Sequence, residues 1–114
     1  MDANELLSRY AVGQRDFRNL NLIAFNFKSV NLSGANFSGA NLSKANLIQT
    51  NLSRVNLTGA ILTGANLTET NLTQANLQKV DLSGVNLSRA DLRGTIMPDG
   101  KISSSRSKSN RLVI

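Results

Sequence analysis

A large apolar residue stands at every fifth position from Phe17 to Met97, and any fold for this chain has to satisfy that period. The series runs Phe17, Leu22, Phe27, Leu32, Phe37, Leu42, Leu47, Leu52, Leu57, Leu62, Leu67, Leu72, Leu77, Leu82, Leu87, Leu92 and Met97. Two residues before each, from Val30 to Thr95, only Ala, Val or Thr is used. The unit therefore reads small, Asn, Leu, polar, variable, as in Ala35-Asn36-Phe37-Ser38-Gly39 and Ala65-Asn66-Leu67-Thr68-Glu69.

An amphipathic helix needs a period of 3.6 and a half-buried strand a period of 2, so neither fits a period of five over this distance. Within one unit, however, the small residue and the Leu are two apart and share a side, with Asn pointing away between them, as in a strand. The next two residues must turn the chain. Gly34, Gly39, Gly59, Gly64, Gly84 and Gly94 all fall at the fifth position, where a corner benefits from a residue without a Cβ. A short side and a corner of constant hand, repeated, wind into a β-helix with two inward side chains per side. Each buried Leu or Phe contributes roughly 1.5 to 3 kcal/mol, and no Trp or disulfide is needed.

The run of A(N/D)LxG-like units resembles the pentapeptide-repeat family. That resemblance covers Arg15 to Asp99 and implies an all-β, right-handed, four-sided parallel β-helix with 20 residues per coil, hence about four coils. Departures from the pattern are informative. Leu20 and Phe25 occupy the inward small position in the first coil, so that end should be wider and abut something apolar. Ile61 and Ile96 replace the outward Asn, and Asp81 and Asp91 replace it conservatively.

Residues 1–14 read as a helical cap, since solenoid ends need covering. Asp2 and Glu5 resemble a capping box, and Gly13 follows as a stop. A helix of this length does not persist alone, so Leu6, Leu7 and Tyr10 should dock near Leu20 and Phe25. The stretch through Arg15-Asp16-Phe17 also resembles the N-terminal leader of cyanobacterial family members. At the other end Pro98-Asp99-Gly100 supplies turn chemistry. Residues 100–114 then form a Ser-rich basic tail, expected to lack order as far as Asn110; Leu112, Val113 and Ile114 either fold back over the last coil or, the favoured reading, form a frayed end.

The formal charge of +6 divides into one net negative charge on the cap, three net positive on the repeats and four on the tail. On four sides the repeat charges form no basic stripe, and the aromatic residues serve the interior, so a nucleic-acid surface is not expected there. The resemblance also implies, for some members, an acidic rod that mimics DNA and binds type II topoisomerases. A duplex mimic must be negative, and this basic chain is not expected to act so. Without His or Cys, the usual nucleophilic triads and soft metal ligands are excluded, and Asp81 with Asp91 makes no catalytic pair. No enzymatic activity, metal or cofactor is expected.

The outward Asn column is expected to bond between coils, as in amide ladders. Thr58, Thr63, Thr68 and Thr73 fall on four different sides and make no flat array. Ile23, Ile48 and Ile61 point outward in different coils and are expected to form no contiguous patch. The longest apolar run, Leu22 to Phe25, is too short for a membrane span, and the N-terminus is not basic, so a cytoplasmic location is expected. The resulting expectation is a non-enzymatic interaction or scaffold module with an unidentified protein partner, monomeric or dimerised end to end. The alternative is a nucleic-acid or acidic-surface binder acting through Lys101, Arg106, Lys108 and Arg111.

Overall fold

The computed structural model describes residues 1–105. Among the described residues a single helix, α1 (Ala3–Ala11), is followed by units that climb one behind another. Parallel bridges join residues twenty apart, from Asp16 with Asn36 through to Asn76 with Ile96, so four five-residue units complete one coil. The units stack in four columns. The first begins at residues 16, 36, 56, 76 and 96, the second at 21, 41, 61 and 81, the third at 26, 46, 66 and 86, and the fourth at 31, 51, 71 and 91.

Each side is too short for an extended strand and contributes one rung. The Asn N–H bonds the coil before, while the Leu N–H and the corner N–H bond the coil after: Asn36 N–H donates to Arg15 O, Phe37 N–H to Asn56 O and Gly39 N–H to Thr58 O. Corners close by a second bond, such as Ala60 N–H to Leu57 O. The fifth residue is left-handed throughout, with φ between 56° and 75° from Asn19 to Gly94. Positive φ at the third turn residue but not the second is the type II pattern. Gly meets this need without cost, but Lys44, Arg54 and Glu69 adopt it too. Their strain, roughly 1 kcal/mol or more each, is outweighed by the ladder that the corner makes possible.

Inside, the apolar series is enclosed almost completely from Phe17 to Met97, together with small residues such as Ala40, Val55 and Ala75. Phe17 stacks on Phe37 with centroids 5.6 Å apart. Thr50, Thr70 and Thr95 also point inward, and each hydroxyl donates to a carbonyl twenty-three residues back: Phe27 O, Leu47 O and Leu72 O. Thr is therefore tolerated in a hydrocarbon bore because its one polar atom is satisfied.

Leu82 departs from the expected core, being only partly buried. The rung between Ile61 and Asp81 does not form, and the N–H groups of Leu62 and Gly64, whose equivalents bond the next coil everywhere above, find no partner there. The unit from Asp81 to Gly84 thus stands off the stack.

The expectation of an unordered tail is also corrected at its start. Lys101 to Ser103 turn back and run antiparallel along the last unit, with Ile102 bridged to Ile96. Met97 N–H donates to Lys101 O, Gly94 N–H to Ser103 O and Ser103 N–H to Thr95 O. The cause is the open edge of the last coil, whose downward donors have no further coil to bond. Arg106, Lys108, Arg111, Leu112, Val113 and Ile114 lie outside the described residues.

Leu57→Ala, in the middle of the bore, should cost about 2–5 kcal/mol. Leu82→Ala should cost less than half as much, and urea unfolding of the two variants measures the difference.

Candidate functional surfaces

Among the described residues no three His, Cys, Asp or Glu gather where they could hold a metal ion. What the fold offers to a partner is its outer surface, so the question is what fixes that surface. The Asn between the two inward residues does so. Its Oδ1 accepts the N–H two residues on, within its own unit, as in Asn41 to Ser43 at 3.0 Å and Asn71 to Thr73 at 3.0 Å. The expected bonding between coils is thereby corrected. The side chain forms an Asx turn, because the neighbouring backbone groups along the axis are already taken by the ladder. Hydroxyls reinforce it where present: Ser43 Oγ and Thr68 Oγ1 each donate to the same Oδ1 at 2.6 Å.

A carboxylate does the same work. Asp16, Asp81 and Asp91 accept from Arg18, Ser83 and Arg93 N–H. The two Ile substitutions differ sharply. Ile96 precedes Pro98, which has no N–H to satisfy, whereas Ile61 leaves Thr63 N–H without an acceptor. The pairing of a missing Asn with a Pro two residues later is the one signal in the sequence that could have disclosed the turn.

The charges on this surface largely cancel in place. Arg18 holds Asp16 at 2.9 Å, Arg93 holds Asp91 at 2.6 Å, and Arg89 lies 3.6 Å from Glu69 one coil away. All involve exposed arginines, where such pairs contribute little. Lys28, Lys44, Arg54 and Lys79 make no ion pair among the described residues, and each belongs to a different column. No basic stripe results. Lys101 is exposed, beside the edge that its own backbone closes. The Arg18 side chain, then the Arg18 N–H, hold the Asp16 carboxyl below its ordinary value of 3.8, and Ser83 does the same for Asp81 through side-chain and backbone hydrogen bonds.

At the N-terminal end Leu6 is fully buried, while Leu7 and Tyr10 are half-buried and pack with Leu20, Phe25 and Val30 against the core. Asp2 caps α1 by accepting Glu5 N–H at 2.9 Å. Sequence reasoning missed what anchors Tyr10. Its hydroxyl donates to Ser33 O at 2.8 Å, and the Arg15 guanidinium sits 3.7 Å from its ring centroid. Of the outward isoleucines, Ile23 and Ile61 share the second column, two coils apart, and Ile48 belongs to the third. Among the described residues no helix is long and apolar enough to cross a membrane.

Parallel rungs at twenty residues, left-handed corners and an aliphatic bore together define a β-helical repeat solenoid. The sequence matches the family model for pentapeptide repeats, with eight copies, over residues 16–47, 50–89 and 60–99. The chain belongs to the pentapeptide-repeat family. Similar solved structures include a pentapeptide repeat protein from the Arabidopsis thaliana thylakoid lumen, 28% identical with a TM-score of 0.63, covering 73% of this chain and 62% of that one. Another is Rfr23 from the cyanobacterium Cyanothece 51142, 34% identical with a TM-score of 0.55, covering 72% of this chain and 60% of that one. HetL from the cyanobacterium Nostoc is 34% identical, with a TM-score of 0.45, covering 83% of this chain and 46% of that one. The matched part is thus about half to three fifths of these proteins' own lengths. No curated protein matches the sequence.

Two measurements check this account of the surface. The Thr63 amide should exchange with deuterium faster than those of Thr58, Thr68 and Thr73, and Ile61→Asn should slow it to match them. The lowered carboxyl values stabilise the fold above an unfolded value near 3.8 and cease to do so as pH falls through the lower folded values. Asp16→Asn with Asp81→Asn keeps both turn acceptors but gives up the charge, so it should flatten the loss of stability below about pH 4 and lower the urea midpoint at neutral pH by a correspondingly small amount.

Proposed function

We propose that this chain is a non-enzymatic, cytoplasmic protein-interaction or scaffold module. The four columns would be the sides of a right-handed, four-sided solenoid of about four coils, its hand taken from the family, with α1 as its lid. The observation that supports this most is the Asx turn repeated in unit after unit. It fixes the direction of two outward side chains per side without using the core, so the exterior can be varied for recognition while the bore stays constant. A preordered surface loses little conformational freedom on binding. The basic balance of the chain opposes mimicry of duplex DNA. Affinity capture from a native lysate should recover a discrete protein, and the recovery of none would count against the module.

A second reading is carried by the concentration of positive charge in the tail. Arg106, Lys108 and Arg111 lie close together in the sequence and would bind nucleic acid or an acidic surface electrostatically, with affinity falling steeply as salt rises. Truncation after Ser105 leaves the Lys101–Ser103 edge strand in place. A salt-dependent mobility shift with DNA or RNA should then disappear if the tail is responsible, and persist if it is not.

A further inference from the structure

We infer that the second column of the solenoid is a self-complementary surface that pairs two copies of this chain side by side about a two-fold axis near Ile61. Ile61 is the one outward position where the repeat gives up its turn acceptor without the compensation that Pro98 provides for Ile96. It puts a 46% exposed aliphatic side chain there instead. A local rule broken without local benefit points to a use outside the fold.

The neighbourhood suits close approach. The corner residues of this column are Ala24, Lys44, Gly64 and Gly84, so the corner beside Ile61 and Asp81 is bare. Ile23, also exposed, lies on the same column two coils above. The charges then select the occupant. Lys44 and Asp81 make no ion pair with any described residue, and their units precede and follow that of Ile61 in the column, the Asp81 unit standing off it without a rung. A two-fold axis through the Ile61 level exchanges those two coils. The corner residue Lys44 of each copy is thereby brought level with the coil that carries Asp81 in the other, and Ile61 faces Ile61, which is the self-complementarity that an isologous contact requires. The Lys44 stem already leans over Gly64, toward the axis: a Cβ at Gly64 would lie 3.4 Å from Lys44 Cγ.

The two shorter dimensions of the molecule are 21 and 20 Å. The three coils from Lys44 to Asp81, each about 4.8 Å tall on a side about 20 Å wide, offer about 300 Å² per copy, and the pair falls short of the roughly 1,200 Å² of a stable complex. The association is weak and concentration-dependent. It goes beyond the interaction-module reading and does not rest on it, because capture of a foreign protein on another side would leave it untouched.

Sedimentation of the full chain at low salt, from about 10 μM to about 1 mM, tests the inference. The average mass should rise from 12.3 kDa toward twice that value. Ile61→Asn should hold it at the monomer value throughout. Lys44→Glu and Asp81→Lys should each weaken pairing at least about tenfold, and the double variant should recover it, since each variant alters both symmetry-related charge contacts and a tenfold change corresponds to about 1.4 kcal/mol. A folding defect in either single variant would persist in the double. The inference is overturned if the chain remains monomeric at the highest concentration, if a dimer forms that Ile61→Asn leaves intact, or if the double variant fails to recover.

Discussion

Everything in this molecule depends on backbone hydrogen bonds that run along the solenoid axis rather than within one layer. Each unit gives one N–H upward and two downward, and the left-handed corner aims them. A buried backbone group without a partner is expensive. The chain can therefore enclose its apolar column only where successive coils stay aligned at a separation of twenty residues. Side-chain packing follows from that alignment. The Leu, Phe and small residues fill a bore whose width the ladder has already set, and this is why three inward Thr are accepted as soon as a carbonyl of the coil behind can take their hydroxyls.

The same constraint explains what happens at the ends. The upper end presents carbonyls and a mouth wide enough for Leu20 and Phe25, and a helix supplies both Leu6 as a plug and the Tyr10 hydroxyl as a donor to Ser33 O. The lower end presents N–H groups, and the chain answers with Lys101 and Ser103 carbonyls from a reversed strand. Two different devices are used because free carbonyls outnumber free N–H groups at the upper edge and the reverse holds at the lower. Alignment fails in the second column, where Asp81 leaves the ladder and Leu82 is left half covered.

Much of this was legible in the sequence because a period of five with paired inward residues admits few solutions. The enclosed positions from Phe17 to Met97 follow from spacing, and the docking of Leu6 near Leu20 and Phe25 follows from the need to close an open bore. What the pattern did not disclose depends on which of two available partners a polar group takes. Asn can bond along the column or within its own turn, and only the geometry of the ladder shows that the first is already occupied. The return of Lys101 to Ser103 is an edge effect, and a repeat says nothing about the unit after its last. The surfaces were less legible still, since Ile23 and Ile61 share a column only once the number of units per coil is known.

The ladder has a further consequence for how such a chain ages. Asparagine deteriorates when the amide nitrogen of the following residue swings round to attack its side-chain carbonyl, closing a succinimide ring. In this protein the following residue is nearly always the inward Leu or Phe, whose nitrogen is committed to the next coil, as Leu42 N–H is to Ile61 O and Leu47 N–H to Asn66 O. The asparagine side chain is at the same time held forward by its turn. A surface coated with a chemically perishable residue is thus kept durable by the very bonds that wind it.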